Sequence, residues 1–312
     1  MEEAGRSANG DLAFGKDWTK GNTFRNLLAL SWPMIISNSL NMLGPTIDMI
    51  WVGRLGSAAI AGVGVAGMAV IMINSAMLGL GQGLRAMIAR FIGASNSEGA
   101  NHAAQQAFVI CAGFSSVIAV IGIFLTEPLL NLMGLEADVV AEGAAYMRIL
   151  FVGVGAMAFR MMTEGAMQAS GDAVTPMRIA IIYRVTHVAL APFLIFGWGI
   201  FPSFGVSGAA ITNVISQALG LGLGLWLLYT GRSRVRITMR NFRLDFNVIW
   251  RMVKIGIPAS IMTVQSTFAQ LVLMRLMVPY GTAAVAAHTL VQRMEIMLFM
   301  PSAGLGIAAG VL

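Results

Sequence analysis

The residues best able to do chemistry in this chain are few and lie in apolar surroundings. Asp48 is the one charged residue in the stretch from 27 to 53. A carboxylate at membrane depth costs about 2.5 to 3.5 kcal/mol on insertion scales, so it needs a partner, a water-filled cavity or a proton. Such a group can take up a proton on one side of a membrane and release it on the other. The competing reading is a hydrogen-bonded structural Asp near the interface, since Trp51 and Arg54 follow closely. Glu295 and Arg293 form a second candidate, but residues two apart on a helix do not face each other, so each needs a partner elsewhere. They line a central cavity or form an inter-helix ion pair. Asn38 and Gln265 are the further polar candidates for a cavity lining, and Arg184 and Arg275 are weaker ones. His102, His187 and His288 fall on separate segments with no His-Glu-x-x-His motif, and no Walker-type glycine loop occurs. These absences argue against a metal site, a cofactor, an ATP partner and an embedded enzyme.

The elements that must position these groups are membrane helices. Hydrophobic residues make up 57% of the 312 and charged residues 11%, with a mean hydropathy of +0.77, which excludes an ordinary soluble domain. A span needs about 20 apolar residues as helix. Eight segments qualify, near 27 to 53, 58 to 84, 104 to 126, 139 to 162, 174 to 198, 206 to 230, 249 to 279 and 283 to 312. Residues 1 to 25 read as a cytoplasmic tail without a cleavable signal. Lys16, Lys20, Arg25, Arg85, Arg90, Arg160, Arg178 and the cluster Arg232, Arg234, Arg236, Arg240 and Arg243 all fall on one side if the amino terminus is cytoplasmic. The expected location is therefore the plasma (inner) membrane, multi-pass. A pI near 10.1 comes from these orienting arginines, which meet anionic lipid headgroups, and no nucleic-acid partner is expected. The single cysteine, Cys111, allows no internal disulfide and reads as a small buried side chain.

The run from Pro33 to Gly81 recurs without a gap as Pro258 to Gly306, an offset of 225 residues (258 − 33). Gly56 falls on Gly281, Ala61 on Ala286, and Gly79-Leu80-Gly81 on Gly304-Leu305-Gly306. The copies start six spans apart, so both enter the membrane in the same direction as parallel repeats. Two such bundles can rock around a shared cavity, which is how alternating access is built. The expected fold class is an all-α polytopic membrane protein: one six-helix lobe (26 to 230), a basic cytoplasmic linker (231 to 248) and the first two helices of a second lobe (249 to 312). The 36 glycines suit close helix contact, and the 23 methionines suit either ordinary packing or a pliable binding surface.

The motifs Asp48 to Gly56, Gly79 to Ala94, Gln168 to Asp172 with Pro176, Pro192 to Gly197, Gly205 to Ala210, Gly256 to Ala259 and Ala286 to His288 stand in an order and spacing that resembles the multidrug and toxic compound extrusion (MATE) transporters over nearly all of residues 27 to 312. Asp48-Met-Ile-Trp-Val-Gly53-Arg-Leu-Gly56 is similar to that family's first-helix acid and glycine turn. GLGQGLRAMIARFIGA from Gly79 to Ala94 is similar to its second-helix end, and Gln168-Ala-Ser-Gly-Asp172 with Pro176 to the turn before its fifth helix. Pro192 to Gly197, Gly205 to Ala210, Gly256-Ile-Pro258-Ala and Ala286-Ala287-His288 continue the resemblance in order. It implies two six-helix lobes, of which the last four helices are missing here, so this length alone is expected to transport little. It also implies that Asp48 carries the coupling proton or helps to bind sodium.

Two departures from the family pattern follow. Proton-coupled members with a paired site carry Asn, three residues, Asp and Pro on the fifth helix. Here those positions run from His187 to Ala191 and Pro192, so the second acid is gone. His187 either replaces it as a titrating or hydrogen-bonding partner or is a neutral packed histidine. The seventh-helix acid of some members is matched by Gln265-Ser266. The resemblance implies an antiporter that expels small organic, often cationic amphipathic compounds in exchange for H+ or Na+. The alternative is a lipid-linked precursor flippase of the same superfamily.

Overall fold

The computed structural model describes residues 22–132, 137–199, 201–231, 238, 242–280, 291, 295 and 301–311. Its helices are α1 (Thr23–Val52), α2 (Ser57–Gly93), α3 (Ser97–Leu132), α4 (Ala137–Ala169), α5 (Val174–Phe196), α6 (Gly205–Tyr229) and α7 (Phe246–Met277), with residues 301–309 also helical. No strand occurs among the described residues. The all-α expectation holds, because in a bilayer only helices of this kind satisfy every backbone group within one segment. α3 to α6 are each long and apolar enough to cross a membrane, and α1, α2 and α7, at 30, 37 and 32 residues, exceed the length that a span requires. The protein is an integral, multi-pass membrane protein.

Local chemistry sets the ends of these helices. Asn22 caps α1 by accepting hydrogen bonds from the backbone N–H groups of Phe24 and Arg25 at 3.0 and 3.3 Å. Asp172 accepts from Thr175 N–H at 3.0 Å at the entry to α5. That helix stops at Gly197, whose φ of +74° is the left-handed conformation that ends a helix. Three helices run past the spans expected from hydropathy: α2 to Gly93, α3 from Ser97 and α4 to Ala169. The apolar windows end at the first polar residues, whereas the backbone bonding continues to the turn. Arg85 and Arg90, which lie beyond the second span expected from hydropathy, are therefore inside α2.

α4 is the central helix of the first lobe, packing against α2, α3 and α6, while α1 lies on α5. Two apolar clusters fill the lobe. One gathers Met77, Leu84, Ile88, Met162, Met167 and Ile179. The other gathers Val52, Val63, Phe151, Val154, Ile195 and Val206. Tyr183 belongs to the first and Tyr146 to the second.

The two sequence copies meet through contacts that map onto each other. A methyl group added at Gly79 would strike the α7 backbone at Gly256 and Ser260, and one added at Gly304 would strike the side chain of Ile35 on α1 and press on its backbone. Both 260 − 35 and 304 − 79 equal 225, so these are one contact with the copies exchanged. The same exchange relates Gly83 against Met252 to Ala308 packed with Leu27. Such reciprocity is what a two-fold axis produces.

The chain between α6 and α7 is fastened to the start of α3. Asn101 both donates to Thr238 O at 3.3 Å and accepts from Thr238 N–H at 3.0 Å. Gln106 likewise donates to Arg243 O at 2.7 Å and accepts from Asp245 N–H at 3.1 Å. Asp245 then caps α7, and the Val248 N–H, followed by that of Asn247 and by His102, holds its carboxyl below the usual carboxylate range. Residues 1–21 of the tail and Arg232, Arg234, Arg236 and Arg240 lie outside the described residues.

Candidate functional site

The site begins with a notch in α1. Pro45 has no N–H, so the carbonyl of Asn41, four residues earlier, loses its intrahelical donor. The guanidinium of Arg184, from α5, supplies the replacement: its Nη2 donates to Asn41 O at 3.3 Å. Gly44 makes the approach possible, because a Cβ there would occupy the space of the guanidinium. A proline and a glycine side by side, costly inside an ordinary helix, thus create a seat for a cation from the neighbouring helix.

Beyond the notch lie the two residues singled out from sequence. Asp48 and His187 are both buried, 2% and 0% exposed, and His187 Nε2 approaches Asp48 Oδ1 to 2.9 Å. The ring N–H is not aligned on that oxygen, so the approach is a close polar contact rather than a formed hydrogen bond. On the other edge of the ring, Arg184 Nη1 is 2.8 Å from His187 Nδ1. Tyr146, from α4, lies within electrostatic reach of Asp48. The structure therefore brings Asp48 and His187 together and adds Arg184 behind the imidazole.

A second centre continues from Asn41. Its side-chain oxygen accepts from Tyr183 Oη and, at 3.4 Å, from Arg160 Nη2. Arg160 also donates from Nε to Gln217 of α6, stacks 4.6 Å above the Tyr183 ring and pairs with Glu164 one turn along α4. Both Arg160 and Glu164 are buried. Charges taken out of water are tolerated only with such partners, and here two guanidinium groups face two carboxylates in one connected network. Asn41 and Asp48 are seven residues apart, so at about 1.5 Å per residue the network follows α1 for roughly 10 Å.

The other candidates from sequence are placed differently. Asn38 is half-buried on α1, one turn before Asn41, while Gln265 and Glu295 are exposed on the second copy. Neither Gln265 nor Glu295 has a described contact with the Asp48 network, and Arg293 lies outside the described residues. Sequence reading missed Asn41, Tyr146, Arg160, Glu164, Tyr183 and Gln217 as site groups. The available signal was Glu164 and Arg160 close together at the end of an apolar run, which reads as an interface when the span is ended at 162.

Similarity to known proteins identifies the family. The MatE family profile matches residues 33–193, which include Asp48, Arg160, Glu164, Arg184 and His187. The chain is 29% identical over 300 residues to "Probable multidrug resistance protein YoeA" of Bacillus subtilis (strain 168), covering 94% of this chain and 64% of that one. It is 27% identical over 279 residues to a protein of Shewanella oneidensis named "FAD transporter", covering 88% and 61%. It superposes with a TM-score of 0.86, at 27% identity and covering 93% and 64%, on a solved structure described as the outward-facing conformation of a multidrug resistance MATE family transporter of the MOP superfamily. The chain thus spans less than two thirds of the length of these relatives. On the family match and the shared fold together, the chain belongs to the MatE family, the multidrug and toxic compound extrusion proteins.

Proposed function

We propose that these residues form the first lobe and the opening of the second lobe of an exporter that exchanges small organic, often cationic compounds for H+ or Na+ by alternating access. The observation that carries this reading is the buried Asp48 beside His187, an acid with an ionisable neighbour inside an apolar lobe. Protonation of Asp48 removes the negative charge that a cationic cargo would neutralise. Proton and cargo are then mutually exclusive, and reciprocal coupling between two binding events is what antiport requires. Multidrug resistance names among the relatives support the cargo class. The flippase reading is less well supported, because both buried arginines of the lobe are engaged by neighbours rather than presented to a cavity.

The amino terminus is assigned to the cytoplasm on the distribution of basic residues. The test of the whole reading is dye efflux from vesicles carrying the full-length protein under an imposed H+ or Na+ gradient. Asp48→Asn is expected to abolish gradient-driven efflux while leaving the protein in the membrane. Undiminished efflux by this variant removes Asp48 from the mechanism.

A further inference from the structure

We infer that Arg184, seated in the Gly44–Pro45 notch, is a positioning residue that fixes His187 as the neutral tautomer with its proton on Nε2, so that the exchangeable proton resides on Asp48 alone. This deepens the coupling role proposed for Asp48 and assigns His187 a different part in it. A guanidinium carries five donors and no acceptor. Nη1 of Arg184, 2.8 Å from His187 Nδ1, can therefore only donate, and Nδ1 must keep its lone pair free to accept. A neutral imidazole with an accepting Nδ1 has its one hydrogen on Nε2, the atom 2.9 Å from Asp48 Oδ1. A second ring proton would have to sit on Nδ1, against the N–H groups of a permanent cation.

The position of Arg184 is set independently of the histidine. Asn41 O, freed by Pro45, accepts from Nη2, the space left by Gly44 admits the guanidinium, and the Tyr183 ring lies 5.3 Å from its Cζ. The groups facing the imidazole and the arginine are Asp48 with Asn41 from α1, Tyr146 and the more distant Arg160 from α4, and Arg184 and Tyr183 from α5. Two consequences follow. Nε2 has no lone pair to offer, so His187 neither ligates a sodium ion nor takes the proton from Asp48. The exchangeable proton therefore stays on the Asp48 side of the ring, and Arg184 behind the ring does not relay it.

The ring nitrogens can be read directly. In the full-length protein, replacing every other histidine by glutamine, His102 and His288 among them, leaves His187 as the one labelled ring in a 15N-histidine sample in lipid nanodiscs. Two-bond nitrogen–proton correlations are then followed from about pH 8 to about pH 5, the range in which a free imidazole changes charge. The expected spectrum is the neutral Nε2–H tautomer throughout. Arg184→Lys, whose ammonium also has only donors, keeps it. Arg184→Gln offers a carbonyl acceptor, and Gly44→Ala displaces the guanidinium without changing its charge. In both, the cationic fraction of His187 at the acid end rises by about tenfold or more. A wild-type His187 that gains a second proton in this range, or carries its proton on Nδ1, overturns the inference. So does a His187 unchanged in both Arg184→Gln and Gly44→Ala, and if either fails to fold, the wild-type spectrum and the remaining variant decide. These readouts do not involve transport, so a titrating His187 would leave coupling at Asp48 standing, and active Asp48→Asn would leave the tautomer standing.

Discussion

The two sequence copies share their contacts and differ in their chemistry. Gly79 against Gly256 and Ser260 is repeated as Gly304 against Ile35, so the small residues that let the helices cross are kept in register. The polar positions are not. Asp48 is matched by Leu273, Asn41 by Ser266, and the Gly44–Pro45 pair by Ala269 and Gln270. The second copy thus has neither the acid nor the notch that admits a guanidinium beside it. A duplicated bundle has to keep the surface through which its halves meet, whereas a buried charged centre can be kept in only one of them. The comparison teaches that the asymmetry rests on four coordinated positions of one helix, not on one substituted acid.

The comparison can be broken first at the polar centre that only one copy has. Arg160→Met leaves Glu164 buried without its cation and is expected to destabilise the lobe by about 3 to 5 kcal/mol, read as a shift in detergent-titrated unfolding. Adding Glu164→Leu to it should restore most of the loss, and a double variant as unstable as the single one would mean that Arg160 acts through packing alone. Leu273→Asp, which gives the second copy the acid without the notch, should weaken insertion of α7 by about 2.5 to 3.5 kcal/mol, measured by glycosylation mapping. It should not create a second coupling site. The smallest effects concern the shared surface: Gly79→Ala and Gly304→Ala should each cost about 1 to 3 kcal/mol by overpacking. Equal losses in unfolding experiments sharpen the two-fold relation, and a loss confined to one of them breaks it.

Much of the architecture was legible in the sequence, since apolar runs of span length and a gapless repeat leave little choice of fold. Asp48 was legible for the same reason: a lone charge in an apolar helix has few places to go. The nearness of His187 could be read only by aligning the Pro192 register with a family pattern. Glu164 and Arg160 escaped notice because a hydropathy window averages over residues, and α4 continues to Ala169 after its apolar stretch ends. The seat of Arg184 was illegible because its parts lie 140 residues apart (184 − 44). The part played by Pro45, which leaves the Asn41 carbonyl free for Arg184, depends on that distant partner and so is not visible in the local sequence.

The fastening of the interlobe segment to α3 has a mechanical meaning. Asn101 and Gln106 grip the backbone at Thr238, Arg243 and Asp245 through paired bonds, so the stretch they hold travels as cargo of the first lobe. Any swing of one lobe relative to the other must bend the chain beyond Asp245, at the root of α7 or within it, and Pro258 gives that helix a ready place to flex.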